Sequence, residues 1–214
     1  MEDIERTKFN ICLIGDTGVG KTSICSVQSG EGFNENILAT IGLNSIVNKY
    51  TIDGKEFIFK IFDTAGEERY KSLAPQSIHI SDGFLVVFDV NEIKTFEELD
   101  NWMKCIEDEV DISTKAVILV GNKIDIGKRK VSEEDAKNYA EKYKIKYYEA
   151  SAKTGHNIKK IFEEVYNKVY QLYNYEKLQS KNQKDPKHKN SQKFEITPEK
   201  KIKMKKKKRN VADI

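Results

Sequence analysis

Gly15-Asp16-Thr17-Gly18-Val19-Gly20-Lys21-Thr22 is the stretch that decides how this chain is read. It fits the pattern G-x-x-x-x-G-K-[ST]. Its setting is the one the pattern requires: an apolar run, Phe9–Ile14, ends just before it, and a helix-like stretch, Lys21–Gln28, opens at its end. The spacing has a physical reason. Glycines let backbone N–H groups curl around phosphate oxygens and aim the helix N-terminus at them. Asp16, Thr17, Gly18, Val19 and Gly20 form the cradle, and Lys21 supplies a cation to the terminal phosphates. The Thr22 hydroxyl completes Mg2+ coordination, and Ser23 follows on the first helical turn.

Outward from that loop, short apolar runs alternate with longer amphipathic stretches. The strand-like runs are Phe9–Ile14, Ser45–Ile52, Glu56–Phe62, Phe84–Val90, Ala116–Gly121 and Ile145–Glu149. The helix-like stretches are Lys21–Gln28, Thr95–Asp108, Ser132–Tyr143 and Asn157–Leu178. In the last, Ile158, Ile161, Phe162, Val165, Val169 and Leu172 recur at three- and four-residue spacing and form one apolar stripe. Strands alternating with helices predict an α/β fold, a parallel sheet covered on both faces. Asp53-Gly54, between two strand-like runs, signals a hairpin, so one pair is antiparallel. The expectation is a six-stranded, mainly parallel sheet with about five helices.

The charge is uneven. The net +3 of the 214 residues divides into 24 Lys/Arg against 30 Asp/Glu in residues 1–180, and 13 against 4 in residues 181–214. The body, 1–180, is large enough to bury roughly 70% of its unfolded surface. The tail, 181–214, has only isolated apolar residues and is expected to be disordered. No run approaches the ~18–20 apolar residues of a membrane span. The start, Met1-Glu2-Asp3-Ile4-Glu5-Arg6, carries no apolar leader segment, and Glu2 in place of Gly excludes N-myristoylation. Cys12, Cys25 and Cys105 are an odd, widely spaced set, which fits buried thiols in a reducing compartment better than a disulfide frame.

Three further motifs follow strand-like runs. Asp63-Thr64-Ala65-Gly66 places a carboxylate at a strand end, suited to a Mg2+ contact, and a Cβ-free N–H at Gly66 for a terminal phosphate; taken alone, an Asp there is more often a turn former. In Asn122-Lys123-Ile124-Asp125, the Asp125 carboxylate can accept from the N1–H and exocyclic amine of guanine, donors that adenine lacks there. Asn122 would tie this loop to the phosphate loop, and the Lys123 stem would lie along the purine. Taken alone, the same four residues also read as a surface turn. Ser151-Ala152-Lys153 offers N–H groups to a guanine carbonyl, or a cap to the last helix.

The order of these motifs, with Thr40-Ile41-Gly42 between the first two, resembles the Ras superfamily of small GTPases and is most similar to its Rab branch, over about Lys8–Leu178. The resemblance implies a P-loop small G domain that binds GTP and GDP with Mg2+ and hydrolyses GTP slowly as a switch, in vesicle traffic or in Ras-like signalling. It implies Mg2+ contacts from Thr22, Asp63 and, in the triphosphate state, Thr40. Phe33 would stack on guanine, and Lys21 and Glu67 would serve catalysis. Phe33–Asn44 and Asp63–Ile78 would be the two switches through which effectors, an exchange factor and an activating protein bind, with Ile41, Gly42, Phe62 and Tyr70 on the effector face; Phe33 and Phe62 also read as core residues.

The chain departs from the family pattern in three ways. Glu67 stands where most members carry the glutamine that orients water, and this leaves open a binding module with little hydrolysis. Ser45 and Ser77-Ile78 replace Rab-typical aromatic residues. No cysteine follows Cys105, so no prenyl anchor is expected. The run Lys200–Arg209, with eight basic residues in ten, reads as a solvated charge run, as a weak contact to anionic membrane, or as a nuclear or nucleic-acid contact. The acidic body makes a nucleic-acid role the poorer reading. The expected place is the cytoplasm, peripheral on endomembranes, with nuclear entry left open by the tail.

Overall fold

Six strands, ordered β2-β3-β1-β4-β5-β6, form a single sheet in the computed structural model, which describes residues 6–35, 43–64 and 74–184. The strands are β1 (Lys8–Ile14), β2 (Leu43–Ile52), β3 (Lys55–Thr64), β4 (Gly83–Asp89), β5 (Ala116–Asn122) and β6 (Lys146–Glu149). Only β2–β3 is antiparallel; the other four pairings are parallel. The antiparallel pair turns at Asp53 and Gly54, with φ of 50° and 76°. Positive φ at both turn residues matches the right-handed twist of the flanking strands, which is why Asp-Gly predicts the hairpin.

The helices are α1 (Lys21–Ser29), α2 (Ala74–His79), α3 (Ile93–Glu97), α4 (Leu99–Glu109), α5 (Glu133–Tyr143) and α6 (Ile158–Lys184). Three differences from expectation have local causes. The stretch expected as one helix over Thr95–Asp108 starts at Ile93 and is interrupted at Glu98, whose ψ of −6° unwinds one residue between α3 and α4. Helix α2 has six residues, too few to show a period, and α6 runs to Lys184, beyond Leu178. The α5 boundary follows sequence chemistry. Ser132 Oγ accepts from Asp135 N at 2.9 Å, and Glu133, Glu134 and Asp135 fill the first turn, where the helix dipole favours negative charge.

Side chains alternate across the strands and build two cores. Phe9, Ile11 and Leu13 of β1 face one side with Phe57, Phe59 and Ile61, under Ile158, Ile161, Phe162, Val165 and Val169 of α6. An aromatic seam runs through this core: Phe59 stacks on Tyr166 at 4.0 Å between centroids and Phe9 on Phe59 at 5.6 Å. Cys12 and Ile14 face the other side with Phe84, Val86 and Phe88, against Leu99, Trp102, Met103 and Ile106 of α4 and Ala136 and Ala140 of α5. Every residue of β4 and β5 is buried, as central strands covered on both faces must be.

The pleat corrects one expectation. Phe62 is buried in the second core beside Cys12 and Ile14, so it does not lie on an exposed effector face; Ile61 before it points to the first core. Ser77 and Ile78, at the end of the second switch stretch, are also buried. Cys12 and Cys25 are buried as expected, whereas Cys105 is half-buried. Thr40, Ile41, Gly42, Gly66, Glu67, Tyr70 and Lys200–Arg209 lie outside the described residues. The chain divides into two units, Met1–Tyr175 with the whole sheet, and Glu176–Ile214, where Ser180 Oγ donates to Glu176 O within the helix. Among the described residues no helix is long and apolar enough to cross a membrane.

Candidate functional site

A cavity of about 470 Å3 opens at the C-terminal ends of β1, β5 and β6, where an open α/β sheet binds its ligands. Thr17, Gly18, Gly20, Lys21, Thr22 and Ser23 line one side; Asn122, Lys123, Asp125, Ala152 and Lys153 line the other; Phe33 lies on a third segment. The loops that sequence order suggested belong together thus meet around one space. Its size suits a nucleotide-sized ligand.

Two glycines are required by what lies behind them. A Cβ at Gly15 would sit 2.1 Å from Val87 O, and one at Gly20 2.5 Å from Asn122 Nδ2. Both have positive φ, 140° and 97°. The Lys21 ammonium folds back over the loop and donates to Gly15 O and Asp16 O, both at 2.8 Å. Burial lowers its pKa from 10.5 to about 8, against the Asp63 and Asp16 carboxylates, which favour the charged form. Asp16 points away from the cavity and accepts from Trp102 Nε1 at 2.7 Å, fastening the loop to α4. Val19 is likewise buried and outside the lining.

Thr22 Oγ1 donates to Asp63 Oδ2 at 2.7 Å, and Asp63 is 3% exposed. A hydroxyl and a carboxylate side by side at a phosphate loop are hard oxygen donors, the kind Mg2+ takes together with phosphate and water. This pair fits such an ion. Thr64 Oγ1 donates to Leu13 O at 2.7 Å and locks the end of β3, with Asp63 on it, against β1.

Asn122 joins the loops. Its Nδ2 donates to Val19 O at 2.9 Å, its Oδ1 accepts from Ala152 N at 3.2 Å, and it is 1% exposed. Ser151 Oγ donates to Asp125 Oδ1 at 2.5 Å and accepts from Thr154 N at 3.1 Å. Ser151 therefore orients Asp125; it does not line the cavity itself. Its own N–H donates to His156 O at 3.2 Å, so two of the three N–H groups expected to face a guanine carbonyl, those of Ser151 and Ala152, have protein acceptors. Lys123 lines the cavity while its Nζ pairs with Asp89 Oδ2 at 2.8 Å.

Sequence reasoning missed several of these positions. Asn34, Glu35, Thr64 and Ile126 also line the cavity, and Glu35 Oε1 pairs with Lys153 Nζ at 2.6 Å, joining two walls. No pattern marks Glu35 or Asp89, because their partners lie far along the chain. Burial pushes the Cys12 thiol up to about 12 and Cys25 well above its ordinary range, so neither is a nucleophile at neutral pH.

Comparison with known proteins agrees with this geometry. The Ras family model matches residues 10–171. Ras-related protein Rab-13 of Rattus norvegicus is 36% identical over 155 residues, 72% of this chain and 76% of that protein. Ras-related protein Rab-18-B of Danio rerio is 36% identical over 171 residues, 80% and 83% of the two. Ras-related protein Rab-8B of Bos taurus is 37% identical over 155 residues, 72% and 74%. With the phosphate loop, the N-K-x-D loop and the S-A-K loop converging on one cavity, the chain belongs to the Ras family as a small GTPase most similar to the Rab proteins.

Proposed function

We propose that this chain is a guanine-nucleotide switch that binds GTP and GDP, hydrolyses GTP slowly, and acts in membrane traffic. The observation that carries the guanine reading is Asp125, a carboxylate at the cavity wall held by Ser151 Oγ at 2.5 Å, on a loop wired to the phosphate loop through Asn122. A fixed acceptor pair suits the N1–H and amine of guanine and rejects adenine, which leaves it unsatisfied. Lys123 and Phe33 offer apolar surface to the base. Asp16 to Ser23 hold the phosphates, Lys21 with its charge and the loop with its N–H groups. Thr22 and Asp63 would hold Mg2+, with Thr40 joining in the triphosphate state, and the Gly66 N–H would reach a terminal phosphate. Held there, Mg2+ would supply positive charge to offset that of the phosphates.

Catalysis of this kind is positioning plus stabilisation of charge on the transferred group. Lys21 supplies charge, and Glu67 handles the attacking water. The sequence offers no recognisable arginine finger, so a partner completes the site. Effectors, exchange factor and activating protein use Phe33–Asn44 and Asp63–Ile78, from which Ser77 and Ile78 are withdrawn by burial. The Rab-like resemblance supports the traffic assignment and a peripheral place on endomembranes, with Lys200–Arg209 as a weak contact to anionic lipid. Competition decides the nucleotide reading: GTP and GDP displace labelled GDP far more effectively than ATP, and equal displacement overturns it. A second reading, binding with little hydrolysis, rests on Glu67 in place of glutamine. Single-turnover rates of the wild type, Glu67→Gln and Glu67→Leu separate the two.

A further inference from the structure

We infer that Asp89 and Asn91, outside every motif described above, are positioning residues that set guanine selectivity by fixing the backbone and side chain of Lys123. The inference rests on the guanine-nucleotide reading and extends it to residues that do not line the cavity.

Lys123 has φ 67° and ψ 35°, a left-handed conformation that a side-chain-bearing residue adopts only when its surroundings over-determine it. Here both ends of the residue are held. Its Nζ is 2.8 Å from Asp89 Oδ2. Its carbonyl accepts from Asn91 Nδ2 at 2.8 Å. The two holders are themselves joined, since Asp89 Oδ1 accepts from Asn91 N at 2.9 Å and from Asn91 Nδ2 at 3.0 Å. Asn91 Oδ1 accepts from Lys128 N at 3.1 Å, beyond the 3-10 turn Ile124–Ile126 that carries Asp125. The segment from Lys123 to Lys128 is thus clamped at both ends by one side chain, Asn91, and Asp125 rides between the clamps.

The consequence is directional. A left-handed residue directly after Asn122 turns the chain so that Asp125 comes within 2.5 Å of Ser151 Oγ. Anchoring Nζ on Asp89 also fixes the far end of the four-carbon stem of Lys123, which lines the cavity and can lie against a purine face. Asp89 is buried, so its charge is compensated by Lys123 and by the Asn91 donors and little by water. Neutralising Asp89 or truncating Asn91 frees the loop to leave the left-handed conformation. The bonds that depend on its exact placement, those of Asp125 to the base, weaken first.

The test compares Asp89→Asn and Asn91→Ala with wild type, and uses Asp100→Asn, on the exposed α4–α5 surface, as a control. The full chain is titrated with labelled GDP and with IDP, which lacks the exocyclic amine that Asp125 reads. Thermal midpoints are recorded alongside. Both variants are expected to bind GDP about tenfold more weakly and to lose most of the wild-type GDP-over-IDP preference, while Asp100→Asn keeps that preference. A role in folding alone would lower the thermal midpoint and leave the ratio of the two affinities unchanged. A full wild-type ratio in both variants overturns the inference while leaving the guanine reading intact. A wild-type chain that holds GDP no better than ADP overturns the guanine reading and this inference with it. If Asp89→Asn does not fold, Asn91→Ala decides.

Discussion

Removing the Asn122 side chain tests whether the cavity is assembled as its hydrogen bonds imply. Asn122→Ala deletes the donor to Val19 O and the acceptor of Ala152 N, bonds of 2.9 and 3.2 Å. Val19 is fully buried, Ala152 is 3% exposed and Asn122 1%, so water cannot readily take over either partner. Each stranded group costs ~1–3 kcal/mol, which makes about 3 kcal/mol a reasonable expectation for the pair. In a folded unit of this size that lowers the thermal midpoint by about 6–12 °C. Asn122→Asp is a sharper version. It keeps an acceptor for Ala152 N but presents oxygen to oxygen at Val19, so it should be no more stable than Ala. Urea unfolding of the three proteins without added nucleotide measures the stability. Release of labelled GDP measures the function, and with Val19 unheld the phosphate loop should let go at least about tenfold faster. An Ala variant within about 0.5 kcal/mol of wild type, releasing GDP at the wild-type rate, would refute the claim that this side chain couples the two loops.

Three other outcomes are expected. The Glu35–Lys153 pair is exposed and screened by solvent, so its effect is small: Glu35→Gln should speed GDP release up to about fivefold in dilute buffer, less in high salt; exchanging the two charges should restore the rate, and equal rates in dilute buffer would show that the pair does not close the cavity. Burial first, and Asp100 second, raise the Tyr139 hydroxyl above its ordinary value, so the unfolded chain ionises there first, near pH ~10, and stability present below that pH is lost above it. Urea midpoints between neutral and alkaline pH should therefore fall less steeply for Tyr139→Phe than for wild type. Deleting Lys200–Arg209 should abolish flotation with anionic vesicles, and binding to neutral vesicles by either form would count against an electrostatic contact.

Much of the molecule is legible in single runs of sequence, and the remainder depends on pairs. The hairpin at Asp53-Gly54 and the cap at Ser132 are decided by local backbone chemistry, so a few residues suffice to announce them. The stripe of α6 and the continuous burial of β5 follow from period and run length. The break at Glu98 carries no proline or glycine to mark it. The inward turn of Phe62 is fixed by the register of β3 against β1, which pairs Cys12 with Phe62. In the site, Gly15, Gly20, Lys21 and Asn122 could be named because their roles recur with fixed spacing. Glu35, Asp89 and Asn91 could not, since each acts on a partner 32 or more residues away that only the folded sheet brings near. The three N–H groups of Ser151-Ala152-Lys153 are alike in sequence, yet Asn122 and His156 claim two of them.

Trp102 is the chain's single tryptophan, and its indole N–H is bonded to Asp16 in the phosphate loop. Indole emission shifts with the polarity and charge around that N–H, and no second fluorophore of its kind dilutes the signal. The protein thus carries an optical reporter bonded to its own phosphate loop. Loading and unloading of the loop can be followed in the untagged chain, in real time, with unlabelled nucleotides.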